Sequence, residues 1–284
     1  MSWKALSCGF AFWITLASLG NAATITLDPS LENTLVQTSG TAQLSNALGN
    51  VYVGRTNQAA GVSIRRGLIE FDIADNIPSD ATITGGTLAM TDVQGLNGNQ
   101  TLTLHDTLQS WGQGTSNGSG NGAAATNGDA TWLYTFYNAS NPSASTKWAT
   151  PGGSYSPTVS GSALDVATGS AGYLVLWESG SNPQMTADIQ NWLSDPATNF
   201  GWTLLGNESQ SQTTKALYGM YSSSQPLLTV SYAVPEPPAA WLAISGLFAV
   251  AVVKGRRFGN RLLSCLARPG LARSAAIKEG PNRS

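Results

Sequence analysis

The sequence predicts an all-β protein: a single jelly-roll-like β-sandwich with one short helix, plus an N-terminal signal peptide and a C-terminal transmembrane helix. Three observations carry this reading. Apolar residues alternate with period two in successive short runs, and Gly, Pro, Asn and Asp punctuate those runs. An apolar segment near each end of the 284-residue chain stands beside basic residues. Only 11% of residues are charged, too few for helices held by Glu–Lys pairs. Gly, Ser, Thr and Asn fill the polar positions instead, which suits strands joined by turns.

At the N-terminus, Lys4 supplies a positive charge, residues 5–19 are mostly apolar, and Gly20-Asn21-Ala22 precedes a cut expected after Ala22 or Ala23. Residues 1–23 therefore read as a secretory signal peptide, with signal peptidase as the first partner. The expected domain spans residues 24–233. In SIRRGLIEFDI, Ile69, Phe71 and Ile73 face a core, while Arg66, Leu68, Glu70 and Asp72 share the opposite face. In TLTLHD, Leu102 and Leu104 point inward and His105 points to solvent. YLVLW, residues 173–177, is apolar on both faces and reads as a central strand. GWTLLG at 201–206 and LLTVSY at 227–232 complete the series.

One helix interrupts the strands. Asn182 is placed to cap it, Pro183 suits its first helical position, and Met185, Ile189, Trp192 and Leu193 form one apolar stripe. Asp195-Pro196 ends it. Two Gly/Asn/Ser-rich stretches, residues 112–130 and 138–163, lack periodicity and read as long connections, the first of them flexible.

The C-terminal segment sets the destination. Pro235, Pro237 and Pro238 impose an extended backbone that a protease can bind without unfolding it. Residues 239–253 carry no charge; as a helix they span about 22 Å, short of a ~30 Å hydrocarbon core. Lys254, Arg256 and Arg257 follow as a basic stop whose stems snorkel to the interface. Val234-Pro235-Glu236-Pro237, the apolar span and Arg256-Arg257 together resemble the PEP-CTERM sorting signal of Gram-negative bacteria. The resemblance makes 234–257 the sorting signal, an exosortase the partner that reads it, and the cell surface or extracellular matrix the destination. The basic tail, residues 258–284, extends beyond the few residues with which such signals usually end.

Charge divides along the same lines. Residues 24–233 hold five basic and fourteen acidic residues, a net charge of −9. Residues 254–284 hold eight basic residues against Glu279 alone, or +7. An acidic body excludes nucleic acid as a partner, and a basic tail fits the cytoplasmic side of a membrane. The two cysteines, Cys8 and Cys265, lie outside the expected domain, so its core must hold without disulfides.

The domain itself resembles a second family. VYVG at 51–54, RRGLIEFDI at 65–73, SWGQGT at 110–115, PGG at 151–153, IQNWL at 189–193, NFGWTLLGNES at 199–209 and PLLTVSY at 226–232 occur in order. Together they look like the DNRLRE domain, a secreted β-sandwich related to a carbohydrate-binding module family. Where that family carries Asp and Arg before its last strand, this chain has ALYGMYSSSQ.

Catalytic chemistry finds little support. A Ser-His or Cys-His site needs a histidine or cysteine, and the domain offers His105 alone. Glu70 and Asp72 share a strand face and are the pair that glycan cleavage would use; the simpler reading is a solvated face paired with Arg66. No cofactor is expected. Surplus Asp and loop carbonyls suit a structural calcium, although no D-x-D-x-D-G loop is present. Trp148 and Tyr155, flanking Pro151-Gly152-Gly153, are the candidate exposed aromatics for stacking on sugar. The leading expectation is a non-enzymatic, exosortase-sorted surface protein with an adhesive or structural sandwich. The alternatives are a module holding an extracellular polysaccharide and, third, an exported glycan-cleaving enzyme.

Overall fold

The computed structural model describes residues 21–235. In chain order they form β1 (Asn21–Leu27), β2 (Leu31–Val36), β3 (Leu44–Ser45), β4 (Val51–Arg55), β5 (Ile64–Glu70), β6 (Thr82–Thr91) and β7 (Gln100–Asp106). The long central region adds β8 (Ala123–Ala124), β9 (Tyr134–Phe136) and β10 (Thr146–Lys147). There follow β11 (Gly161–Asp165), β12 (Leu174–Glu178), the helix α1 (Gln184–Ser194), β13 (Trp202–Leu205), β14 (Lys215–Leu217) and β15 (Leu227–Val234).

Two main antiparallel sheets result, and neither closes into a barrel. The smaller has the order β1-β15-β6-β12; the larger runs β11-β7-β13-β5-β2-β3-β8, with β4 joining β5 to β14 at one side. Ile83, Leu88, Met90, Val175, Trp177, Leu228 and Val230 of the smaller sheet meet Val51, Val53, Ile69, Leu102, Leu104, Trp202 and Leu204 of the larger. They form one apolar core, the sandwich-like arrangement that strand alternation predicts. Ile69, Phe71, Ile73, Leu102 and Leu104 are all fully buried in it.

The outward face of β5 is also covered. Leu35, Leu68, Trp111, Ala130, Trp132 and Trp148 form a second, smaller cluster. Its cover comes from the stretch between β7 and β11, which holds the first aperiodic connection and all of the second except residues 161–163, which begin β11. These connections are built rather than flexible. Asp129 accepts from the Thr126 N–H at 2.6 Å and from the Ser116 N–H at 3.3 Å, and its neighbours Ala130 and Thr131 are fully buried. A polar composition marks the absence of a strand period, not the absence of contacts: Asp, Asn and Ser side chains here satisfy backbone donors that a ladder would otherwise use.

The helix forms with its expected apolar stripe but starts one residue later than expected, with Pro183 as the N-cap and Gln184 as the first helical residue. The Asn182 Oδ1 accepts from the Gln184 N–H at 3.0 Å, and the Pro183 carbonyl accepts the first helical bond from Ala187 at 3.2 Å. Met185, Ile189, Trp192 and Leu193 are buried against the core. Gly86 in β6 makes room for this stripe, since a Cβ there would stand 2.7 Å from the Ile189 Cδ1.

Three placements differ from the sequence expectations. β12 is an edge strand, not a central one: Val175 and Trp177 are buried, but Leu174 and Leu176 are 51% and 41% exposed. Apolar residues on both faces signalled cover on both sides, and the outer cover is absent among the described residues. His105 is buried rather than solvent-facing; its Nδ1 lies 2.9 Å from the Ser156 carbonyl and its Nε2 3.1 Å from the Thr103 Oγ1. Strand pairing also begins before the expected domain start, because Asn21, Ala22 and Ala23 pair with Val234, Ala233 and Tyr232.

Glu32 on β2 is fully buried; its Oε2 accepts from the Met220 N–H at 2.9 Å while Oε1 has no partner. Burial raises its carboxyl from 4.5 to about 8, against the lesser, opposing pull of the Met220 bond. The folded state therefore binds a proton that the unfolded state releases. Its contribution is fullest below pH 4.5, falls as pH rises towards about 8, and is level above that. Glu70, Asp106 and Asp165 are raised in the same sense. Urea midpoints should thus be higher at pH 5 than at pH 8, and Glu32→Gln, which mimics the protonated acid, should shrink that difference by raising the pH 8 value.

Candidate functional site

Of the residues expected to form a sorting motif and basic stop, Val234 and Pro235 are described; Glu236, Pro237, Lys254, Arg256 and Arg257 lie outside the described residues. So do residues 1–20 of the expected signal peptide, the expected span at 239–253 and the tail at 258–284. No helix among the described residues is long and apolar enough to cross a membrane. Val234 ends β15, packs against the main core and pairs with Asn21, whereas Pro235 is exposed. Pro235 ends the strand naturally, because it has no N–H to give to a ladder.

Trp148 and Tyr155 do not form an exposed aromatic platform. Trp148 is only 5% exposed, and its Nε1 donates to the Thr131 carbonyl at 2.9 Å, so it is part of the second core and offers no face to a ligand. Tyr155 is half-buried. The intervening turn is tied down: the Gly152 N–H donates to the Trp132 carbonyl at 2.6 Å, with Gly152 at φ +88°. That left-handed backbone explains the glycine.

Arg66 organises this corner. Its guanidinium lies 4.8 Å from the Trp132 ring centroid and 5.3 Å from that of Tyr155. Nε and Nη2 donate to the two Glu208 carboxylate oxygens at 2.7 and 2.8 Å, and Nη1 donates to the Gly152 carbonyl at 2.8 Å. The expected pairing of Arg66 with Glu70 and Asp72 therefore gives way to Glu208, which arrives from the loop after β13 and offers both oxygens to the fork. Without the cation, Glu70 is pushed up to about 7, first by burial and then by the charge of Asp72.

A cleft of about 500 Å³ opens beside the C-terminal end of α1, lined by Asp106, Leu108, Asn191, Trp192, Asp195 and Phe200 among others. Asp106 ends β7 and accepts from the Trp192 Nε1 at 3.2 Å. Burial, followed by the nearby Asp188 charge, raises its carboxyl to about 6. Asp188 accepts from the Trp202 Nε1 at 2.9 Å, and the Trp192 and Trp202 rings meet at 4.7 Å. The cleft thus combines a fixed carboxyl, a carboxamide and the apolar walls of Leu108 and Phe200, a set that can hydrogen-bond hydroxyls and pack C–H faces. Sequence reasoning missed it. The available signal was the pair of buried indoles, Trp192 and Trp202, each needing an acceptor. Among the described residues, no group of three or more His, Cys, Asp or Glu side chains gathers as a metal site.

Lysine cannot reproduce the planar fork of Arg66 or its stacking between two rings. Arg66→Lys should lower unfolding free energy by about 2 kcal/mol, read as a fall in urea midpoint at constant m-value.

No protein-family model matches the chain, and no curated protein matches it.

Proposed function

We propose that this protein is exported and sorted by an exosortase to the cell surface or extracellular matrix, where its jelly-roll-like sandwich serves adhesion or structure without catalysis. The observation that carries the reading is the pairing of β1 with β15. Asn21 is opposite Val234, so the first and last strands of the described residues begin and end at the same end of the smaller sheet. That geometry suits a body whose two flanks are both handled at one membrane. A cut after Ala22 leaves the five pairs from Ala23↔Tyr232 to Leu27↔Leu228, and a cut after Ala23 leaves the four from Thr24↔Ser231. Exposed Pro235 directly after the last strand gives a sorting enzyme an extended segment at the margin of the fold.

The test is expression of the full chain with and without an exosortase, followed by fractionation and the mass of the mature C-terminus. With the enzyme, the product should leave the membrane fraction and end near the Val234-Pro235-Glu236-Pro237 motif. Without it, the chain should stay membrane-bound at full C-terminal length. Full-length chain that still carries residues 1–20 and is soluble in the cytosol overturns the reading.

A second reading, a module that holds an extracellular polysaccharide, is favoured by the cleft beside α1 rather than by Trp148. Native protein should be retarded in gels containing the polysaccharide it binds, and Asn191→Ala combined with Asp195→Ala should abolish the retardation. Retardation that survives this double substitution counts against the cleft.

A further inference from the structure

Three ionisable side chains are gathered in the interior where the two sheets meet. Lys215 begins β14, Asp165 ends β11, and Asp92 directly follows β6. Lys215 and Asp92 are each 1% exposed and Asp165 is 0% exposed. The Lys215 Nζ stands 3.3 Å from the Asp165 Oδ1 and 3.5 Å from the Asp92 Oδ2. Asp92 is fixed from behind, for its Oδ1 accepts from the Gln94 N–H and its Oδ2 from the Gly95 N–H, both at 2.9 Å. Its backbone is pinned as well, bridging to Leu217 and exchanging hydrogen bonds with Tyr173 and Gly172.

As a salt bridge this arrangement is poor. Two carboxylates face one ammonium, so charge is left over in a medium that penalises it, and desolvating the ions costs several kcal/mol each. The Asp165 Oδ2 is buried with no hydrogen-bond partner, the defect that makes a buried ion pair a net cost. Burial, then the Asp92 charge, raises the Asp165 carboxyl to about 6, against the opposing pull of Lys215. What is poor as an ion pair is a good arrangement for condensation: an amine against a carboxyl that takes up a proton readily, buried from bulk solvent, with a second carboxylate touching the amine.

We propose that Lys215 and Asp165 condense to an intramolecular amide, with Asp92 as the proton carrier. The Lys215 Nζ, having passed one proton to the Asp165 carboxylate, adds its lone pair to the Asp165 Cγ, and the C–N bond forms. Asp92 takes a second proton from Nζ and delivers it to the hydroxyl of the tetrahedral carbon. The bond from Cγ to that hydroxyl breaks and water leaves. Of the three ammonium protons, two depart in that water and one remains on the amide nitrogen, facing Asp92. No oxidant or cofactor enters, and Asp92 is regenerated. The product removes one positive and one negative charge together with one of the two buried carboxyl oxygens. It also closes a 50-residue stretch in a body that has no cysteine for a disulfide, acting on the unfolded chain as a covalent bridge does.

The test needs no variant in the first instance. The full chain is purified, denatured, digested with trypsin or with chymotrypsin, and weighed. The expected result is a tryptic peptide uncut after Lys215 and lighter by one water. In the chymotryptic digest, the segments holding Asp165 and Lys215 should stay joined, and fragmentation should place the link at those two side chains. Cleavage after Lys215 at unmodified mass overturns the proposal. So does a water loss with Lys215 still cleaved, which marks a succinimide at an aspartate. Asp92→Asn keeps the size of the carrier but removes its basicity. It should leave the circular dichroism spectrum native and slow linkage at least tenfold. Linkage at the native rate in that variant overturns the role given to Asp92.

Discussion

The fold depends on one strand that is buried on both of its faces. β5 pairs with β2 along one edge and with β13 and β4 along the other. Its inward side chain Ile69 enters the main core, and its outward Leu68 seeds the second cluster. A strand in this position cannot carry exposed polar groups outward, so everything opposite Leu68 must supply cover. That requirement explains why more than fifty residues between β7 and β11 have so little regular structure and so many side-chain-to-backbone hydrogen bonds. It also explains Arg66: placed on a covered face, the guanidinium is neutralised by Glu208 and stacked on Trp132 and Tyr155.

Local pattern predicted what local pattern encodes. Alternation located β5, β7, β13 and β15, because one buried face imposes period two on neighbouring residues. Asn182 and the i, i+4, i+7 and i+8 spacing from Met185 to Leu193 located α1, because capping and amphipathicity act within a few turns. The failures share a different cause. The burial of Trp148 and His105, and the edge position of β12, depend on which distant segment lies over a face, and period carries no record of that. The Gly/Asn-rich composition of residues 112–130 suggested flexibility because it lacks apolar side chains, yet the segment is anchored through Asp129, whose contribution is polar.

The candidate sites divide in the same way. The expected sorting motif, Val234-Pro235-Glu236-Pro237, is contiguous, so a string alone can propose it. The cleft beside α1 assembles Asp106, Asn191, Asp195 and Phe200 from three segments, and the interior cluster joins positions 92, 165 and 215. Nothing in their immediate neighbours distinguishes Asp92 or Asp165 from the other aspartates of an acidic body. Only the packing of the ends of β6 and β11 beside the start of β14 brings their carboxyls to one amine.

The position of β15 has a mechanical consequence. It is an inner strand, flanked by β1 on one side and β6 on the other. Tension drawn through Val234 cannot strip it from a free edge; peeling must break two hydrogen-bonded ladders together and pull Leu228 and Val230 out of the core. Load entering at Val234 therefore meets two ladders at once, whereas the edge strands β1 and β12 are each held by one.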